Sequence, residues 1–234
     1  MGGARVFICS RNEAEIHGAA TALQKETGST VKGMRADVSI QSELAMFVNS
    51  AISECGCVDI AVLNGPQPKA GPFRAASDSD WATAINETVL YLVHAIHLTL
   101  PGMVKQKFGR CILIGSSFPL EPSPEFILSS TLRMTEVAIF KCLATTHAAD
   151  GVTFNTICPG YVDTVLTHHC AAQVGAATGS TENVILEKWR QRIPGGVFTD
   201  AKDVGKLAVF LASLQQSTLT GQTIGVDGGA SRAI

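Results

Sequence analysis

The chain has 234 residues, 46% of them hydrophobic and 16% charged, with a formal net charge of −2. That apolar share supports a sizeable buried core and excludes a disordered chain, while the charge balance excludes nucleic acid as the main partner, because phosphate binding needs a basic face. No window approaches the ~20 apolar residues of a membrane span, and Met1-Gly2-Gly3-Ala4-Arg5 lacks the apolar segment of a secretory signal, so a cytoplasmic protein is expected.

In chain order, strand-like runs fall near Arg5–Cys9, Thr30–Arg35, Val58–Asn64, Arg110–Ile114, Thr153–Ile157 and Thr223–Val226. Helical patterns fill Glu13–Lys25, Ser42–Glu54, Asp80–Gln106, Leu132–Thr146, Ser180–Arg192 and Ala201–Leu214. Strands alternating with longer helices predict an α/β fold, a doubly wound parallel sheet covered on both faces, because every parallel connection needs a crossover. The strands are rich in Val, Ile and Cys without polar alternation, as expected when both sheet faces are buried. No repeat or linker interrupts residues 1–234, so a single domain is expected. Val165–Gly179, rich in small residues, reads as the one long irregular segment: a surface loop or a substrate lid. Cysteines at 9, 55, 57, 111, 142, 158 and 170 show no metal-ligand spacing and read as free thiols.

Four segments carry candidate chemistry. Ser116 ends the apolar run Ile112-Leu113-Ile114-Gly115-Ser116, Ser129 lies thirteen residues later, and Arg133 four after that. Asn64-Gly65 opens a proline-rich stretch, Pro66-Gln67-Pro68-Lys69-Ala70-Gly71-Pro72-Phe73. Asn155-Thr156-Ile157-Cys158-Pro159-Gly160-Tyr161-Val162-Asp163-Thr164 and Leu219-Thr220-Gly221-Gln222-Thr223-Ile224-Gly225-Val226-Asp227-Gly228-Gly229 complete the set.

In order and spacing these segments resemble the short-chain dehydrogenase/reductase family, most closely its 3-oxoacyl-carrier-protein-reductase-like members. The resemblance implies a Rossmann-like fold and an NADP-dependent oxidoreductase acting on a carbonyl or hydroxyl substrate. Family members read Ser, then Tyr thirteen residues on, then Lys four residues after that. Here Ser129 stands at the Tyr position and Arg133 at the Lys position, and the Asn of the preceding long helix is replaced by Thr88. Only Ser116 keeps its type, with Ser117 beside it. An aliphatic hydroxyl is far less acidic than a phenol, and an arginine stays charged at any working pH, so neither residue relays a proton. Altered or weak catalysis follows. The alternative is that Ser129 and Arg133 merely cap and solvate a helix start.

The resemblance also implies a cofactor set: Arg11 toward a 2′-phosphate, Asp37 and Val38 at the adenine, Asn64 and Gly65 after the next strand, and Pro159, Gly160 and Thr164 around nicotinamide. The family's first strand, glycine-rich turn and helix have no counterpart, since Gly2–Ile8 aligns with its second strand. About 25 residues of such a unit are lacking. In the family's strand order, 3-2-1-4-5-6-7, that leaves a gap of roughly 10 Å between Arg5–Cys9 and Val58–Asn64. A late start and a natural degenerate form both fit. Apolar residues Val89, Leu90, Val93, Ile96 and Leu100 exceed what one sheet face covers, and the resemblance assigns them to a homodimer or homotetramer interface. Weaker candidates are His168-His169 on the lid, Asp163 as a substitute acid–base, and His94 with His97 as a metal pair lacking a third ligand. Two rivals to the oxidoreductase reading are a cofactor-free lyase, isomerase or cyclase that uses Ser116 and Arg133 on an oxyanion, and a non-catalytic partner subunit.

Overall fold

The computed structural model describes residues 3–215 and 218–232; Met1 and Gly2, part of the N-terminal reading above, lie outside them. Strand β1 (Val6–Ser10) pairs in parallel with β2 (Val31–Arg35), and helix α1 (Glu13–Thr27) crosses between them. Asn12 starts α1 by accepting a hydrogen bond from the Glu15 backbone N–H at 3.2 Å. A second sheet holds β3 (Ile60–Leu63), β4 (Gly109–Ile114), β5 (Val152–Pro159) and β6 (Thr223–Val226), parallel throughout and in that order. Among the described residues no strand bridges β1 and β3, so the expected parallel sheet is split where the sequence predicts a gap. Helix α2 (Gln41–Cys55) ties the halves together by packing on α4 (Tyr91–Gln106).

The core lies on the β3–β6 sheet. Leu92, Met103, Cys111, Leu113, Phe140 and Phe154 fill one face beneath α4 and α5 (Ile127–His147). Ile112, Ile157 and Leu211 fill the other beneath α8 (Ala201–Ala212). Both faces of β5 are buried along its whole length, polar Thr153, Asn155 and Thr156 included, and the Asn155 amide is satisfied by the Leu219 carbonyl and the Gln222 N–H.

Three sequence expectations change. The stretch predicted as one helix over Asp80–Gln106 is α3 (Asp78–Ile85), a π-helical turn at Asn86–Leu90, and α4. Ser77 and Asp80 form a reciprocal capping box that starts α3 two residues early. Helix α5 begins at Ile127 rather than Leu132, so Ser129 is inside the helix and caps nothing; the N-cap, Phe126, makes no side-chain bond. Val165–Gly179 is no irregular loop. It forms α6 (Val165–Thr178), capped by the Thr164 hydroxyl and closed by Gly179 in the left-handed region at φ 71°. Its partner α7 (Glu182–Arg192) follows directly, and Cys170, Ala171 and Val174 of α6 pack with Ile185, Leu186 and Trp189 of α7.

Of the residues assigned to a subunit interface, Ile96 belongs to the chain's own core, while Val89, Val93 and Leu100 are half-buried and Leu90 is exposed. Met134 on α5 is exposed as well. No described helix is long and apolar enough to cross a membrane.

Candidate active site

The strands' C-terminal ends open into a cleft of about 460 Å³ lined by Asn64, Gly65, Ser116, Ser117, Arg133, Pro159, Gly160 and Thr164 among others. Open α/β sheets bind ligands at that edge, because the loops there carry no ladder bonds and the helix N-termini face it. Two glycines let backbone segments close on their neighbours. A Cβ at Gly65 would lie 2.7 Å from the Tyr91 ring, and one at Gly160 would lie 2.9 Å from the Asp227 backbone.

Ser116 reaches the cleft at the end of β4, its hydroxyl accepting from the Phe118 N–H at 3.3 Å. Arg133 reaches it from the first turns of α5 but is not solvated: only 3% of it is exposed. Its Nη1 meets both carboxylate oxygens of Glu136, at 3.1 and 3.0 Å, and its Nη2 donates to the Pro66 carbonyl at 2.9 Å. Glu136 is fully buried; burial pushes its carboxyl above the ordinary value while Arg133 draws it back. The capping-and-solvation alternative for Ser129 and Arg133 therefore fails, since Ser129 lies inside the helix and is buried, and Arg133 is tied to Glu136 and Pro66 rather than to solvent.

Ser129 is 1% exposed, its hydroxyl has no hydrogen-bond partner, and it is not among the residues facing the cleft. Thr88, in the π-helical turn, is fully buried and spends its hydroxyl on the Ala84 carbonyl at 2.6 Å. It too is absent from the cleft wall, which leaves it no hydroxyl proton with which to hold a water.

Arg11, Asp37 and Val38 follow the strands of the smaller sheet and lie outside the cleft. The Asp37 carboxylate accepts from the Ser39 hydroxyl and N–H, and these bonds, with Arg11 and Arg35 nearby, lower its pKa. Asp163 points to solvent with a side chain 74% exposed, and His168 pairs with Glu182 at 2.8 Å. His169 bonds Gln173. Among the described residues no group of three or more His, Cys, Asp and Glu has metal-site geometry, at His94 and His97 or elsewhere.

The sequence reading missed the far wall of the cleft. Phe118, Phe126, Tyr161 and Trp189 come from separate segments and meet there. Tyr161 stacks on Trp189 with centroids 4.6 Å apart and planes 9° from parallel, and Phe118 stacks on Phe126 at 4.7 Å. Tyr161 is the cleft's one phenol, and burial raises its pKa further from neutrality despite a hydrogen bond from Arg192. Burial likewise pushes the Cys158 thiol up to about 12, so it is no thiolate nucleophile at neutral pH. Two further donors lack partners: Gln67 Nε2 and Arg133 Nε, on residues that line the cleft.

Residues 1–231 match the family described as enoyl-(acyl carrier protein) reductase. The protein is a short-chain dehydrogenase/reductase. Its relatives within that family include oxidoreductase UcpA of Escherichia coli, 30% identical over 84% of this chain and 74% of its own length. A putative ketoacyl reductase of monensin polyketide synthesis from Streptomyces virginiae is 29% identical over 97% of this chain and 87% of its own. Among solved structures, YwfH, an NADPH-dependent reductase of bacilysin biosynthesis, superposes with a TM-score of 0.90 at 26% identity, covering 98% of this chain and 89% of that one.

Pro159, Gly160 and Thr164, the residues that the resemblance puts around nicotinamide, line the cleft together with Ser116. The pyrophosphate end has no matching cradle among the described residues, since no glycine-rich strand-to-helix turn lies beside β3.

Proposed function

We propose that this short-chain dehydrogenase/reductase is an NADP-dependent oxidoreductase of reduced or altered activity, acting on a carbonyl or hydroxyl group carried by an apolar body. The observation that supports the reading best is the convergence of Ser116, Arg133, Asn64, Pro159 and Gly160 on one cleft walled by aromatic rings. The relatives' names, ketoacyl reductases and NADPH-dependent reductases, point the same way.

Pro159, Gly160 and Thr164 would hold a nicotinamide, which would supply or accept a hydride. The chain's own contribution is positional and electrostatic. The Ser116 hydroxyl donates to the substrate oxygen, and the aromatic wall excludes water from one side. Arg133 is fixed by Glu136 and Pro66, so it braces the proline-rich loop against α5 and presents a preset donor. The proton comes from solvent at the cleft mouth. Ser129 is sealed off, Arg133 is engaged by Glu136 and the Pro66 carbonyl, and burial pushes the Tyr161 phenol further from neutrality. General acid catalysis contributes about 10²–10⁴-fold, and turnover is reduced from that of Tyr-bearing family members by a factor in this range. Residues 1–234 act as one domain, and Arg11 and Asp37 serve the adenosine end from the smaller sheet. Leu90 and Met134, exposed on neighbouring helices, support a homodimer or homotetramer.

The test is titration of the purified Trp81→Phe chain with NADPH, followed by fluorescence of its remaining tryptophan, Trp189 in the cleft wall. Saturable quenching supports the reading. No binding by a chain whose circular dichroism shows it folded rejects it in favour of cofactor-free chemistry or a partner-subunit role.

A further inference from the structure

We infer that a second cavity, behind the aromatic wall of the cleft, is a binding site for a small zwitterion with an apolar side group, the chemistry of a free apolar α-amino acid. The site is separate from the cleft and does not depend on the reaction proposed there.

The cavity measures about 570 Å³ and lies between the segment that links β4 to α5, the end of α7 and residues 230–232. Phe118 and Tyr161 line it as well as the cleft, so two rings of the wall present surface to both spaces. Pro122 and Pro124 line it too, and their fixed φ angles stiffen the linking segment. That segment is pinned to α5, because the Ser130 hydroxyl accepts from the Ser123 N–H at 3.0 Å and donates to the Ser123 carbonyl at 3.1 Å. Residues 230–232 are fastened as well. The Ser231 N–H donates to Asp227 at 2.9 Å, and the Arg232 N–H donates to Glu121 Oε2 at 3.1 Å. The space is therefore held by its own walls.

Charge decides the guest. Four ionic side chains line the cavity: Glu121, Glu125, Arg192 and Arg232. Two of them are engaged. Glu125 receives Lys188 at 3.0 Å on one oxygen, and Trp189 Nε1 at 3.4 Å and Arg192 at 3.6 Å on the other. Arg192 also bonds the Tyr161 hydroxyl. Glu121 and Arg232 are exposed, and among the described residues their charged groups form no ion pair with each other or with a third group. A carboxylate and a guanidinium thus face one space without meeting. A purely anionic guest is drawn to Arg232 and repelled by Glu121, and a purely cationic guest the reverse. A molecule with an ammonium and a carboxylate on neighbouring atoms satisfies both, and Phe118, Tyr161 and the two prolines give its side group an apolar seat. Both protein charges stay partly in water, so each pair contributes a factor of about five at most.

The experiment measures binding to the full chain calorimetrically at neutral pH for three probes: L-phenylalanine, 3-phenylpropanoate, which lacks the ammonium, and 2-phenylethylamine, which lacks the carboxylate. L-phenylalanine is expected to bind about fivefold more tightly than either analogue. Arg232→Gln is expected to weaken L-phenylalanine about fivefold without weakening 2-phenylethylamine. Glu121→Gln is expected to weaken L-phenylalanine equally without weakening 3-phenylpropanoate. Neither residue lines the cleft, so these losses place the ligand in the cavity. Both side chains are exposed, and glutamine at 121 keeps an oxygen for the Arg232 N–H, so the variants retain the fold. In the Trp81→Phe chain, L-phenylalanine is expected to change the fluorescence of Trp189, on which Tyr161 stacks. No binding of L-phenylalanine, a preference below threefold, or an affinity that either substitution leaves unchanged overturns the site.

Discussion

Replacing Glu136 by leucine removes the carboxylate paired with Arg133 and leaves a guanidinium in a nearly dry site. At the 3.0 Å separation of the pair, an effective dielectric constant of about 20 gives an attraction of about 5.5 kcal/mol. Desolvation of two ions offsets much of that, and for this reason the pair as a whole adds little net stability. The single change is different, since it removes the attraction and keeps the desolvation of Arg133. Glu136→Leu is therefore expected to cost about 3–5 kcal/mol. The double variant Arg133→Met with Glu136→Leu removes both charges and loses chiefly the bond to the Pro66 carbonyl, so it should lie within about 1.5 kcal/mol of the wild type. Urea unfolding followed by far-ultraviolet circular dichroism reads both numbers from the midpoints and slopes. A Glu136→Leu cost below about 1 kcal/mol, or a double variant as unstable as the single one, would refute the reasoning.

Ser129→Ala removes a buried hydroxyl with no partner, so stability should stay level or rise by up to about 1 kcal/mol, and any reductase turnover should be unaffected. A large loss of activity in that variant would make Ser129 a working group after all. Asp80 is held down to about 2 by bonds from Ser77 and Lys69, so the folded state keeps its carboxylate where an unfolded chain protonates. Its contribution is present above the ordinary Asp range and fades as pH falls through about 4 toward 2. Thermal midpoints measured across that window should fall less steeply in Asp80→Asn than in the wild type; equal slopes would contradict this. Sedimentation at micromolar concentration should find a dimer or tetramer that Leu90→Glu weakens, and a wild-type monomer would count against the subunit interface proposed at Leu90 and Met134.

Much of the architecture was legible because alternating strand and helix patterns need no long-range knowledge. The split between β1 and β3 followed from the alignment of Arg5–Cys9 with a second strand. Helix α6 was not legible: its small and apolar residues run round the whole helix, leaving no polar stripe to set a period. The start of α5 was obscured by Ser129, a residue type that reads as a cap although here it lies inside the helix. Glu136 stands three residues after Arg133, a spacing open to inspection, yet a carboxylate on a core-facing helix surface contradicts the usual distribution of charge. The aromatic wall could not be foreseen, since Phe118, Phe126, Tyr161 and Trp189 are brought together only by the packing of α6 and α7 on the strand ends.

The break between β1 and β3 also divides the molecule's cooperativity. Residues of β1, α1 and β2 pack chiefly on one another and share no ladder bond with the larger sheet. Their opening would leave the fully buried strands β4 and β5 intact, and its free energy is set by local contacts rather than by the global core. Amide hydrogen exchange would then release β1 and β2 together, as one block and ahead of β4 and β5. Arg11 and Asp37 ride on that block, so any affinity they lend to a ligand is coupled to its local folding: the ligand would slow exchange in β1 and β2 most.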